Sequence, residues 1–303
     1  MLDSLKFTFS SIFDFYKNRS KKFFSFSLTF LLIASTGAPV LGIIVCWFAD
    51  KLYIYGYASA SGGNFGDFLF NVMGKLQDFC ISFGIIVFGL YAVFLKKYEE
   101  GSSEEKISFK IFWNSISKDD WDYFFLLIII YSAIFILTFK KVFNVISDGG
   151  HYGVFSMPGL AEDDTPRIKF FRWMNSIIEL VKMFIPYLFA WALIVRSFGE
   201  KLNWSTFKKY KAGFFAMLGI SFFIESISNS ANGYIKYYVI KAVEIPFKDT
   251  IGPGLFTIFI YVMIGAFFIP AIAGSMYYSF LYEYNRLNPA AESELPQNPD
   301  SGN

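Results

Sequence analysis

The chain of 303 residues is 54% hydrophobic and 21% aromatic, and only 17% of its residues are charged. Soluble domains carry about 25% charged residues, so this composition argues against an ordinary soluble domain and indicates an integral membrane protein. The net charge of +2 is too small to favour nucleic acid as a partner.

Residue types that carry chemistry are scarce. The two cysteines and one histidine do not form the ligand spacing of a zinc, haem or iron–sulfur site. Neither a glycine-rich phosphate loop nor a G-x-S-x-G nucleophile motif occurs in the sequence. We therefore predict no metal, no cofactor and no catalytic residue, and we expect that the protein is not an enzyme.

Six long apolar runs dominate the sequence. Each approaches or exceeds the roughly 20 residues that a helix needs to cross a hydrocarbon layer of about 30 Å. We predict an all-α integral membrane protein with six transmembrane helices arranged as three hairpins in one membrane domain, 1–287, followed by a disordered polar tail, 288–303. The predicted helices cover about 24–48, 76–95, 123–139, 177–195, 212–233 and 255–281.

A segment with an aromatic face precedes the first, third and fifth runs. Short amphipathic helices of this kind lie in the membrane interface, so we predict three interfacial helices on the cytoplasmic surface. The alternative is that each segment merely extends the membrane helix that follows. The residues on these faces include Leu5, Phe9, Ile12, Phe109, Phe112, Trp113, Trp204 and Phe207.

The first and sixth runs each carry a stripe of small side chains, which lets the backbone of a neighbouring helix approach closely. A proline lies beside each stripe, Pro39 and Pro270, and proline kinks a helix. Helix packing is the interpretation that we favour, and hinges of a moving gate are the alternative. The stripe residues are Ala34, Ala38, Gly42, Ala271, Ser275 and Ser279.

The two cysteines lie at similar predicted depths, near the outer ends of the first two helices. A disulfide between Cys46 and Cys80 is therefore geometrically possible on an oxidising face of the membrane. Both residues also suit the role of small packing side chains, which is the interpretation we favour.

The fifth run contains a polar stripe at helical spacing. A charged residue near the bilayer centre costs about 2.5–3.5 kcal/mol on insertion scales, so such a stripe usually faces the interior of the bundle or water. The stripe consists of Ser221, Glu225, Ser228, Asn229 and Asn232.

Lys182 in the fourth run is the predicted partner of Glu225. If the fourth helix begins near Met174, Lys182 lies about 12 Å from its outer end at 1.5 Å per residue, close to the predicted depth of Glu225. Glu179 is the competing partner, because it precedes Lys182 by three residues on the same helix. A structural ion pair is the interpretation that we favour, and a proton or ion relay is the alternative.

Topology follows from the distribution of Lys and Arg. Sixteen of the 27 basic residues lie in the N-terminal segment, the second and fourth connections and the tail, and ten lie on the opposite side. This bias predicts that both termini are cytoplasmic. The composition, rich in Phe, Ile and Lys, suggests a bacterial inner membrane.

These features favour a non-catalytic membrane protein that acts as a scaffold, assembly or partner component of a membrane complex. Its expected partners are the lipid bilayer and either another protein or further copies of this chain. The alternative function is a small transporter or channel that uses the polar stripe of the fifth helix, with Glu225 paired to Lys182 of the fourth.

Overall fold

The computed structural model describes residues 2–54, 65–100, 107–137, 166–235, 237 and 252–289. Some side chains within the helices, including those of Lys182 and Glu225, lie outside the described part. Within these ranges the regular structure is helical, and no strand occurs. The helices are α1 (Leu2–Ile54), α2 (Phe65–Glu100), α3 (Phe109–Ser115), α4 (Lys118–Leu137), α5 (Pro166–Ser197), α6 (Trp204–Ile235) and α7 (Gly252–Leu287).

Each of the six apolar runs is helical wherever the structure describes it, and four of them belong to helices long and apolar enough to cross a membrane. The helices extend beyond the runs because hydropathy detects the apolar part of a helix and not its ends. The candidate spans are Lys22–Phe48 in α1, Asp78–Glu100 in α2, Trp204–Ser228 in α6 and Val262–Leu287 in α7.

The other two predicted spans, in α4 and α5, are shorter in the described residues. Three aspartates occupy the first turns of α4, so its apolar part runs from Tyr123 to Leu137, about 22 Å at 1.5 Å per residue. The described apolar stretch of α5 is Phe184–Ser197. α5 begins at Pro166, eight residues before the predicted start near Met174, and the depth of Lys182 in a membrane stays a prediction.

The three aromatic segments have different structures. The first is continuous with the membrane run, because α1 is one helix of 53 residues, so no separate N-terminal helix forms. The second is a separate helix, α3, whose N-cap residue Ser108 accepts a hydrogen bond from the Ile111 amide at 3.3 Å. The third forms the first part of α6. A kink at Tyr210, where φ is −108° and ψ is 15°, separates this part from the rest of the helix.

The described residues form two compact units, each drawn from separate stretches of the chain. Unit 1 contains residues 1–33, 87–121 and 190–303, and its described core is rich in aromatic rings. The Phe26 ring lies 5.1 Å from that of Phe94 and 5.6 Å from that of Phe112, so α1, α2 and α3 meet at one cluster. Aromatic pairs at such distances stabilise a core beyond the area that they bury.

Unit 2 contains residues 34–86 and 122–189. In its core the ring of Phe79 on α2 lies 5.7 Å from Tyr131 and 5.1 Å from Phe135 on α4. Both cysteines belong to this unit and both are in the thiol form, with Cys46 buried and Cys80 partly buried. The disulfide considered from the sequence is therefore not formed.

Candidate functional site: polar contacts among the helices

The polar stripe predicted in the fifth run lies on α6, and two of its side chains are described. Ser221 is fully buried, and its hydroxyl shares a hydrogen bond of 2.8 Å with that of Ser275 on α7. Ser228 is partly buried. The side chains of Glu179, Lys182, Glu225, Asn229 and Asn232 lie outside the described residues, so the Glu225–Lys182 pair stays a prediction.

The small-residue stripe of α1 meets α2 at Gly42, within unit 2. A Cβ atom added at Gly42 would lie 2.5 Å from Leu76 Cδ1 and 3.0 Å from Phe79 Cδ1, so no larger residue fits there without rearrangement. Ala38 is 5% exposed, whereas Ala34 is partly buried. The close approach at Gly42 is the geometry that small side chains permit.

The second small-residue stripe lies on α7 within unit 1, and Ala271, Ser275 and Ser279 are all buried. Ser275 donates to the Ile272 carbonyl at 2.7 Å in addition to its bond with Ser221. The hydroxyl of Ser279 lies 3.2 Å from that of Thr8 on α1. The stripe therefore supplies hydroxyls that join α7 to both α6 and α1.

Glu99 forms a junction between three helices that the sequence did not reveal. Its Oε1 lies 3.0 Å from Arg19 Nη1 on α1 and accepts a hydrogen bond of 2.7 Å from the Tyr278 hydroxyl on α7. The partners are 80 and 179 residues away along the chain. Such distant pairings leave no periodic signal in a single sequence.

Lys96 lies close to this junction and is only 7% exposed. Its ammonium donates to the Ser197 carbonyl at 2.8 Å, pairs with Glu100 at 3.0 Å and lies 4.5 Å from the centre of the Phe198 ring. Ser197 is the last residue of α5, and a cation is favourable at the carbonyl end of a helix. Lys96 is therefore a buried cap between α2 and α5, although the sequence placed it among the basic residues of the second connection.

A third polar group joins the α5–α6 connection to the end of α7. The chain turns at Gly199, whose φ of +78° suits glycine, and this turn brings Glu200 to α6. Glu200 accepts hydrogen bonds from the Tyr210 hydroxyl and from Lys209, at 2.9 Å for the latter. Asn288 in turn donates to the Tyr210 hydroxyl at 3.3 Å.

The electrostatics of Glu200 follow from these two donors. The hydrogen bond from Tyr210, followed by that from Lys209, lowers the pKa of the Glu200 carboxyl from its usual value of 4.5. Because the donors favour the charged form, Glu200 is a carboxylate at neutral pH. It is an anchor for the loop and holds no proton that it could donate.

α6 and α7 approach each other closely at Gly213. A Cβ atom added there would lie 2.8 Å from the Ser279 carbonyl oxygen and 3.1 Å from Glu283 Cγ. Glu283 is 1% exposed and is neutralised by Arg286, whose Nη2 lies 2.6 Å from its Oε2. The methylene groups of Glu283 thus lie beside Gly213 of α6, and the countercharge of its carboxylate is on its own helix.

These contacts connect helices and do not converge on one reaction centre. Among the described side chains, no group of three or more His, Cys, Asp or Glu residues has metal-binding geometry. Comparisons with family models, curated proteins and solved structures find no match for this chain.

Proposed function

We propose that this chain is a non-catalytic membrane protein with six transmembrane helices that serves as a scaffold, assembly or partner subunit of a membrane complex. Both termini face the cytoplasm, and the membrane is the inner membrane of a bacterium. The four helices long enough to span a bilayer support membrane embedding. The excess of Lys and Arg in the N-terminal segment, second and fourth connections and tail supports the orientation.

The observation that carries the partner role is the exposed apolar face of α1. Only 22% of the α1 span is buried, against 72% of the α7 span. Val40 is 61% exposed and Ile44 48% exposed, whereas Ala38 and Val45 on the other side of the helix are each 5% exposed. Such a face suits a neighbouring helix as well as lipid.

Hydrogen bonds between hydroxyls on different helices also support this role. The hydroxyl of Ser221 shares a hydrogen bond with that of Ser275, and the hydroxyl of Ser279 shares one with that of Thr8, so each pair joins two helices. A scaffold needs such contacts to hold its helices together, since apolar packing alone does not distinguish a neighbouring helix from lipid.

Site-specific photocrosslinking in intact membranes tests the proposal. A photoreactive residue at Val40 or Ile44 should crosslink to one discrete protein, either another subunit or a second copy of this chain. The same residue at Ala38 or Val45 is the matched control, because these positions face inward. Adducts with lipid alone at Val40 and Ile44 would contradict a partner on this face.

The transporter alternative depends on Glu225 and Lys182. It predicts proton or ion flux into proteoliposomes above the level of empty vesicles, and loss of that flux in Glu225→Gln at an unchanged melting temperature. A structural pair predicts instead that Glu225→Gln lowers the melting temperature in detergent. Ser221, a buried member of the same stripe, already bonds α7, and for this reason we place transport second.

A further inference from the structure

The beginning of α6 presents a basic and aromatic surface that the helix contacts leave uncovered. Asn203 caps the helix by accepting a hydrogen bond of 2.8 Å from the Thr206 amide. Thr206 and Tyr210 face inward and are buried. Trp204, Lys208 and Lys211 lie four and three residues apart and are all exposed, so they share the outward face.

Three lysines on this surface have no acidic partner in the part of the chain that the structure describes. Lys209 pairs with Glu200 at 2.9 Å, but among the described residues no carboxylate lies within ion-pair distance of Lys201, Lys208 or Lys211. The local charge is therefore positive and directed outward. A ligand that fits it must be anionic.

The aromatic part of this surface distinguishes a membrane from a soluble anion. Trp204 is 68% exposed and Leu202 39% exposed, which is costly in water but favourable where apolar side chains reach the edge of the hydrocarbon layer. The Lys208 ammonium lies 5.8 Å from the centre of the Trp204 ring. The arrangement places an indole and a cation side by side, as at a headgroup layer.

We propose that Lys201, Leu202, Trp204, Lys208 and Lys211, here called the lysine patch, bind the headgroup phosphates of anionic phospholipids. Trp204 and Leu202 enter the boundary of the acyl chains, and the three lysines meet the phosphates. The inference rests on the membrane embedding proposed above. Each lysine near an anionic surface strengthens binding about fivefold at moderate ionic strength, so removing all three should weaken it at least tenfold.

The test is retention of phosphatidylglycerol, measured by native mass spectrometry after reconstitution into bilayers of phosphatidylcholine and phosphatidylglycerol. Replacing Lys201, Lys208 and Lys211 with Gln should lower the apparent affinity for phosphatidylglycerol at least tenfold, and replacing them with Arg should preserve it. The matched control replaces three other exposed lysines, Lys6, Lys17 and Lys110, with Gln and should cause a much smaller change.

Equal retention in wild type and the patch variant would overturn the proposal and would assign the patch to another partner, such as an acidic protein or free phosphate. An equal loss in the control variant would also overturn it, because the effect would then reflect overall charge. Melting temperatures of all variants show whether each is folded. A protein that failed to insert into bilayers would contradict the membrane proposal itself, which separates that failure from a lack of lipid selectivity.

Discussion

Lys96 shows how a charge next to an apolar run becomes part of the structure. A lysine at the end of a membrane helix usually extends its ammonium to the headgroups. Here the ammonium is buried because the end of α5 offers a carbonyl at 2.8 Å and Glu100 offers a carboxylate at 3.0 Å. Its neighbour Lys97 is partly buried and forms no ion pair among the described residues.

Lys96→Met should destabilise the protein because it leaves the Ser197 carbonyl and Glu100 without their cation. Hydrogen bonds to charged groups contribute about 1.5–3 kcal/mol, so we expect a loss of about 2 kcal/mol in the free energy of unfolding. The measurement is thermal unfolding in detergent. Lys97→Met is the control, with an expected change below about 0.5 kcal/mol; equal losses in both variants would contradict the role of Lys96.

The hydrogen-bonded carboxylate of Glu200 should make the stability of the protein depend on pH in a defined direction. The pKa of the Glu200 carboxyl is lowered in the folded protein, so this carboxylate stabilises the fold at pH values above its usual pKa. That stabilisation is lost as the pH falls through the lower pKa of the folded state. The pair is partly exposed, at 25% for Glu200 and 38% for Lys209, so we expect only about 0.5–1 kcal/mol.

The difference in melting temperature between wild type and Glu200→Gln measures this contribution. Other carboxylates titrate equally in both proteins, so their contributions to the melting temperature cancel in the difference. The difference should be constant from pH 7 down to about 5 and should shrink below the usual carboxyl pKa of 4.5. A difference that grew on acidification would show that Glu200 is not held as a carboxylate.

At the scale of whole helices, the packing of α6 against α7 depends on the close approach of their backbones. Gly213 has the Ser279 carbonyl 2.8 Å from the position of its missing Cβ, whereas Gly219 on the same helix has no atom within 4 Å. Alanine at Gly213 adds both a steric clash and a higher helix propensity, whereas alanine at Gly219 adds only the higher helix propensity. Comparing the two substitutions therefore isolates the free-energy cost of the clash.

Gly213→Ala should separate the two helices slightly and cost about 1–3 kcal/mol, as overpacking does in other cores. Gly219→Ala should stabilise α6 by up to about 1 kcal/mol, because alanine is the better helix former. Thermal unfolding of the pair of variants provides the measurement. The predicted contact would be wrong if both substitutions changed the melting temperature in the same direction.

The sequence predicted the helices better than it predicted their contacts. The length and hydropathy of the apolar runs predicted six helices, and each run is helical wherever the structure describes it, because these signals depend only on local composition. They missed the early start of α5 at Pro166, because basic residues continue a helix without adding hydropathy. The sequence pattern also predicted two helices in place of α1, although no proline or glycine separates Leu5 from the membrane run.

The candidate site was predicted only in part, for a physical reason. Helical spacing predicted that Ser221 belongs to a polar face and that Ser275 belongs to a small-residue stripe. It did not show that these faces meet, because that depends on the packing of α6 against α7. The junction at Glu99 was not recognised at all, since its partners lie on α1 and α7 and share no spacing with it.

At the scale of the whole molecule, the number of spans decides the topology. Four spans and six spans both place the chain termini on the same side of the membrane. They differ only in the connection between α4 and α5, which is external if these two helices cross and cytoplasmic if they do not. The positions and lengths of α4 and α5 therefore matter more to the account than those of any other helix.

Labelling of Ser156→Cys, in a chain whose two natural cysteines are replaced by Ala, tests this directly. Ser156 lies between α4 and α5. With six spans and cytoplasmic termini, an impermeant maleimide added to intact cells should label this cysteine, and should not label one introduced at Lys6 until the membrane is permeabilised. Labelling of position 156 only after permeabilisation would contradict the six-span account.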